Sequence, residues 1–494
     1  MAEFVLKALS LILLSLGTFA ANAGPLAEPG DTQLRHDLEL LNDAGVLDVP
    51  LTAWPVSLPD IRANLDELPP SSSVALARAY RRVSARLNSR LDVRVPRYVA
   101  SVSGAIEPRF VRSFQDTPRD EGELTASLDW FGQRFAARLS ATAVANPLDG
   151  DEVRPDGTWL GVALGNWMLT AGWQERWWGP GRNGSLILSN NARPAPGIML
   201  QRNVSTPFES RWLSWIGPWT LTTFMNRLDD ERVVDDAILF GIRGSFRPPR
   251  TGLEIGISRT AQWCGNDRPC DLSVFGDLLV GNDNRGVNVD PDSEPGNQLG
   301  GFDVRWRLPR NLPLAFYMQW IGEDGRGGGE GIGSWMRQLG VEAWGQLGDS
   351  SHRTFVEVAD TLCREGGFGF SFRKPNCGYE HSIYQTGYRY QGRSLGHGTD
   401  GDSLSYSIGS TLVQSAGHTW NLSFRYMEIN RTGSPNERHT LTPTGRDTVD
   451  VQLSHARDTK LGHWHAGLGY ARTEDRTTSE TETDVSAFIQ WSSR

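Results

Sequence analysis

The stretch "RWWGPGRNGSLILSNNARP", Arg176 to Pro194, concentrates flat rings, amides and guanidinium groups in one short segment. Each type has a use in saccharide recognition. The faces of Trp177 and Trp178 can stack on the C–H face of a pyranose, and the amides of Asn190 and Asn191 can bridge vicinal hydroxyls as paired donor and acceptor. Arg176, Arg182 or Arg193 can hold a carboxylate through two parallel hydrogen bonds. The same residues suit a second role. Trp177 and Trp178 could anchor a folded plug or sit in an interfacial girdle, with Asn and Arg capping turns. Residue types alone leave both readings open.

A second stretch, "YEHSIYQTGYRYQGRSLGHGTDGDS" from Tyr379 to Ser403, offers Tyr388, Arg389, Tyr390 and Arg393, then His397, Asp400 and Asp402. Tyr and Arg supply stacking and anion binding, and Asp accepts from hydroxyls. The alternative is a set of inward charges that brace a closed sheet. Other candidates are weaker. "GEDGRGGGEGIG" (Gly322 to Gly333) lacks the Lys-Ser/Thr of a phosphate loop, and "NVDPDSEPGN", with Asp290, Asp292 and Glu294, lacks a calcium-loop pattern. No Ser or Cys nucleophile stands out, so neither catalysis nor a cofactor is expected. The four cysteines form local pairs, Cys264 with Cys270 and Cys363 with Cys377; of three possible connectivities the local one is favoured. No metal is expected, because no CxxC or His cluster supplies four ligands.

These side chains need elements to carry them. Lys7, the apolar run Ala8 to Ala20 and "ANA" at 21–23 read as a secretory signal, with the mature chain starting near Gly24. Residues 24–95 read as a small helical bundle. Asp31 caps a helix bearing Leu34, Leu38 and Leu41 that Gly45 ends; a second helix is expected from Leu58 to Leu68, and a third from Ser73 to Leu91. So small a bundle needs something to dock on.

From Tyr98 onward the period becomes two. Phe302, Val304, Trp306 and Leu308 alternate with polar residues, as do Trp420, Leu422, Phe424 and Tyr426, and Val485, Ala487, Ile489 and Trp491. Roughly 19 such segments, most about 8–11 residues long, match tilted membrane-crossing strands; because bacterial barrels use even numbers, about 18 are expected over residues 96–494. The mean hydropathy of −0.39 does not oppose this, since only alternate residues face lipid. Short turns ("GPW" after Ile216, "RPPRT" after Phe246) alternate with long loops such as Cys264 to Asn297. Trp306, Trp320, Trp335, Trp420, Trp464 and Trp491 fall where interfacial girdles belong. The fold class is therefore mainly β, an outer-membrane antiparallel barrel preceded by a small helical bundle.

Both motifs, together with "GDTQLRHDLELLNDAGVLDVPLTAWP" near the mature N-terminus, resemble the signatures of the Wzi capsule assembly family, in the same order along nearly the whole mature chain. The resemblance implies a non-catalytic lectin of the Gram-negative outer membrane, an 18-strand barrel with a periplasmic helical bundle, that helps hold capsular or extracellular polysaccharide at the cell surface. One departure is the ending "QWSSR", with Trp491 short of the terminus where such barrels commonly place an aromatic residue. Expected partners are outer-membrane lipid, the polysaccharide and possible polysaccharide-export machinery, with the chain a monomer. Nucleic acid is not expected for a chain of net charge −9. The rival class is transport: a barrel of this size is wide enough for a channel unless filled, and Arg305, Arg307 and Arg425 would favour anionic solutes or an acidic polysaccharide strand.

Overall fold

The computed structural model describes residues 23–91, 95–280, 296–309, 312–324, 332–365, 372–432 and 435–493. The proposed signal segment, the acidic stretch at 290–294 and much of the glycine-rich loop at 322–333 lie outside these residues.

Period-two alternation gives a closed antiparallel barrel of 18 long strands. In chain order they are β1 (Arg97–Ile106), β2 (Gly122–Phe131), β3 (Phe135–Ala145), β4 (Trp159–Leu164), β5 (Trp167–Trp173) and β6 (Pro196–Arg202). Next come β7 (Trp219–Arg227), β8 (Ile238–Phe246), β9 (Leu253–Trp263), β10 (Gly296–Arg307), β11 (Leu314–Asp324) and β12 (Ile332–Leu347). The last six are β13 (Ser350–Glu365), β14 (Leu404–Val413), β15 (Thr419–Ile429), β16 (Arg446–Thr459), β17 (Gly462–Asp475) and β18 (Thr481–Ser492). Consecutive strands pair, and β18 closes on β1 with Ser492 opposite Ser101 and Ala487 opposite Ile106. Outward positions such as Leu124, Leu139, Leu339, Leu422, Leu468 and Val485 are exposed apolar side chains, a band suited to lipid. Inward positions such as Arg243, Asp303, Gln319, Glu342 and Glu357 are buried and polar.

Most tight turns gather at one end and most long loops at the other. The "RPPRT" segment joins β8 to β9 as expected, but "GPW" is not a hairpin turn. It ends a longer connection after Arg202 that carries a 3-10 turn at Ser214–Ile216, because Gly217 and Pro218 close that turn instead of a two-strand bend. At the long-loop end a short helix (Leu272–Val280) lies on the outer wall, with Phe275 edge-on to Phe240. Arg259 of β9, on that same outward face, donates to the Leu279 carbonyl at 2.9 Å. The helix end thus satisfies a cation that lipid would not. Both local disulfides form, Cys264–Cys270 and Cys363–Cys377.

The N-terminal region folds as three helices, α1 (Thr32–Ala44), α2 (Leu58–Ala63) and α3 (Val74–Leu91). The Asp31 side chain accepts from the Leu34 N–H at 2.8 Å, and Gly45 leaves α1 in the left-handed region (φ 74°). The second helix stops at Asn64, whose amide caps the Asp60 carbonyl at 2.9 Å, so it is shorter than its leucine spacing predicts. Leu38, Leu41, Ile61, Val83 and Leu87 form its core, and that core is completed by Phe114 and Trp177 from barrel loops. The docking surface that so small a bundle requires is the barrel itself. Gln33 donates to the Thr419 hydroxyl at 2.8 Å and Arg247 pairs with Asp48 at 2.9 Å, both at the tight-turn end.

Candidate functional site

The tryptophan loop leaves β5 at the long-loop end and turns back into the lumen. Trp177 and Trp178 form a two-residue antiparallel ladder with Trp54 and Ala53, and Gly179 N–H donates to the Thr52 carbonyl at 2.8 Å. Phe114 stands edge-on between Trp54 (5.2 Å) and Trp177 (5.3 Å). Trp178 packs on Phe224 of β7 at 5.3 Å, and the Arg176 guanidinium covers the same ring at 4.2 Å. Both indoles are 0% exposed, so in this arrangement no face is open to a sugar.

Ionic contacts fix the same loop to α1 and to the opposite wall. Arg182 pairs with Glu39 of α1 and with Glu342 of β12 at 2.5 Å. Asp43 of α1 pairs with Arg305 (2.9 Å) and Arg353 (2.7 Å), both of which also reach Glu342. The Glu357 carboxylate accepts from the backbone N–H groups of Arg182, Asn183 and Gly184 at 2.7, 3.1 and 3.2 Å. Contacts to β7 on one side and β12 and β13 on the other mean that α1 and this loop cross the lumen. The arginines that suggested a channel are engaged within the chain. Arg305 is held by two carboxylates, Arg425 pairs with Asp450 at 3.0 Å, and Arg307 donates to the Leu308 carbonyl.

The second motif lies over the first. Tyr379 and Tyr388, stacked at 5.9 Å, donate their hydroxyls to the Leu186 and Ile187 carbonyls at 2.8 and 2.9 Å. Ser189 N–H donates to the Leu395 carbonyl, and Asn191 donates to the Ser394 carbonyl at 3.1 Å while accepting from Arg112 N–H. Asn190 donates to the Phe114 carbonyl at 3.3 Å. The fit is close: a Cβ on Gly184 would lie 2.1 Å from the His397 ring. Arg389 grips Asp400 through two 2.9 Å hydrogen bonds and also pairs with Glu380 at 2.6 Å. This cation holds the Asp400 carboxyl well below the usual range despite its burial. His397 bonds Thr399 at 2.7 Å, and burial pushes its pKa down to about 4. Asp402 accepts from Asn376 N–H at 2.7 Å, and burial pushes it up to about 6.

Two of the sequence candidates leave this packed interior and meet at the long-loop end. Gln391 (φ 48°) and Gly392 (φ 69°) form the tight bend of a hairpin in which Tyr390 faces Arg393. The hairpin places Arg393 against a cavity of about 200 Å3 whose wall also includes Arg193, Arg119, Arg154, Asp120 and Asp149. Arg193 is held by Asp149, Asp151 and Asp156 at 2.7–2.9 Å. Arg154 pairs with Asp120 and with Asp149 at 2.7 Å, and Arg119 pairs with Glu175 at 2.9 Å. Arg393 makes no such pair among the described residues. Its guanidinium covers the Phe110 ring at 4.0 Å and donates to the Phe110 carbonyl at 2.6 Å. Burial, then the charges of Arg119 and Arg112, push it down to about 9. The sequence reading missed Phe110, Arg119, Asp120, Asp149 and Arg154. They lie in the connections between β1 and β2 and between β3 and β4, Arg154 in a two-residue strand there, where no periodicity marks them.

Known proteins agree with this architecture. The family model for capsule assembly protein Wzi matches residues 92–486. A Klebsiella pneumoniae protein described as a 55.8 kDa protein in the cps region is 33% identical over 357 residues, 71% of this chain and 68% of its own. The structure of Escherichia coli Wzi, described as an outer-membrane, carbohydrate-binding β-barrel involved in group 1 capsule assembly, superposes with a TM-score of 0.81 at 26% identity. It covers 94% of this chain and 98% of its own. With its closed 18-strand wall and apolar outer band, the chain is a barrel of the Gram-negative outer membrane and belongs to the Wzi capsule assembly family.

Proposed function

We propose that the chain holds capsular or extracellular polysaccharide at the cell surface, as a binding protein without catalysis. The observation that carries this reading is the combination of a lumen crossed by α1 and the tryptophan loop with a charged cleft at the long-loop end. Bacterial barrels turn their long loops outward, so the cleft would face the cell exterior and the helices at residues 24–95 the periplasm, within reach of polysaccharide-export machinery. A leader ending near Ala23 would be removed on secretion, and the barrel would act as a monomer. The E. coli relative's carbohydrate binding and the Klebsiella relative's place in a cps region support the substrate class.

On this reading the tryptophan pair does not stack on sugar; it fastens the bundle to the plug, and the sugar-facing groups are those of the cleft. Cells lacking the chain should make the normal amount of polymer but shed a several-fold larger share into the medium, with retention restored by the intact gene. Reduced synthesis without shedding, or stable open conductance of the purified barrel in planar bilayers, would remove the retention reading in favour of assembly or transport.

A further inference from the structure

Among the described residues, Arg393 lines the cleft without an ion pair of its own. Arg393 is 7% exposed, yet among the described residues its polar partner is a single backbone carbonyl, and the cations Arg119 and Arg112 stand near it. Burying a guanidinium beside like charges is unfavourable without a counter-ion. The two acids in the wall are already committed: Asp120 to Arg154, and Asp149 to Arg154 and Arg193. Those ion pairs hold the wall rigid and leave Arg393 as its unmatched group. The guanidinium plane is itself fixed by the Phe110 ring and by the hairpin, so little side-chain freedom is lost when a planar anion docks.

We propose that Arg393 is the subsite for a carboxylate carried by the polysaccharide, from a uronic acid or a pyruvate ketal, bound in the cleft between the Gln391–Arg393 hairpin and the loops bearing Arg119 and Asp149. A planar carboxylate matches the guanidinium fork through two parallel hydrogen bonds. The cavity, about 200 Å3, has room for one sugar residue rather than a length of chain, so the contact reads a single acidic unit. Thr440 and Gln391 in the same wall offer hydroxyl and amide partners for the ring hydroxyls. The inference rests on the retention reading above and sharpens it by naming the chemical group that is recognised.

The test is titration of the full-length barrel in detergent with polymer extracted from the producing cell's surface, and with the same polymer after carbodiimide–borohydride reduction of its carboxyls. The expected result is at least roughly ten-fold weaker binding of the reduced polymer, the weight of one charge-assisted contact. Arg393→Gln should bind both polymers equally weakly, and Arg393→Lys should keep part of the preference. Mild acid, which removes pyruvate ketals but leaves uronates, assigns the source of the carboxylate. Equal binding of native and reduced polymer by the unaltered protein overturns the inference and leaves the retention reading standing. Failure to bind either polymer overturns the retention reading and the inference with it. If Arg393→Gln does not fold, shown by loss of heat-modifiable gel migration, the reduced-polymer comparison decides alone.

Discussion

The tryptophan loop and the arginine cleft both combine aromatic rings with guanidinium groups, and their charges are met differently. In the loop, the Trp177 and Trp178 rings are sealed between Trp54, Phe114 and Phe224, and Arg182 is answered by Glu39 and Glu342. In the cleft, Arg393 lies on an aromatic ring and makes no ion pair among the described residues. Indole, amide and guanidinium therefore do not by themselves distinguish a packed plug from an open cleft. What distinguishes them is whether the partners come from within the chain.

That contrast breaks first at the tryptophans. Replacing Trp177 and Trp178 together by Ala should cost on the order of 3–5 kcal/mol per ring in the contact between bundle and barrel, because each leaves a large cavity. Limited proteolysis should then cut the Leu68 to Ser73 connection of the bundle while the barrel keeps its heat-modifiable migration. The affinity of the detergent-solubilised protein for polymer should change far less than in the Arg393 variant. Affinity lost through the tryptophans with the bundle still docked would put the sugar on the indoles and end the contrast.

A somewhat smaller effect is expected at Glu342, which faces Arg182, Arg305 and Arg353 from the wall. Glu342→Gln leaves buried guanidinium groups short of a counter-ion, and the loss should be about 3–5 kcal/mol. Thermal unfolding in detergent measures it. Further replacement of Arg353 by Met should recover part of the loss, since the surplus charge is then removed; no recovery would mean that the three arginines do not share Glu342.

Much of the wall was legible, and the reason is local. Alternation in Phe302 to Leu308 or Trp420 to Tyr426 is set by which face meets lipid, and a short window shows it. Asp31 and Gly45 mark their helix ends through their own backbone and side-chain chemistry. The site was less legible because its contacts are distant in sequence. Nothing near Trp177 reveals that Trp54 will pair with it, and nothing near Arg393 reveals that Phe110 will lie beneath it. The second helix shows the same limit at short range: leucines at 65 and 68 continue its spacing, but the Asn64 cap stops it.

The smallest expected effect lies between the two regions, at Asp402. Arg389 answers Asp400, but Asp402 receives the Asn376 N–H at 2.7 Å and the Thr432 hydroxyl at 3.4 Å, with burial raising its pKa to about 6. As the pH rises from about 4 to about 6, the unfolded chain loses this proton before the folded one does, so the folded state binds more protons and stability falls across that window. The decline should amount to roughly 1–3 kcal/mol and persist at higher pH. Asp402→Asn should leave the thermal midpoint near pH 4 almost unchanged, raise it near neutrality, and flatten the slope between. An unaltered slope would mean that Asp402 is ionised throughout and matched by a cation such as Arg431. The packed interior would then hold no unanswered carboxylate here, and the contrast with Arg393 would be sharper still.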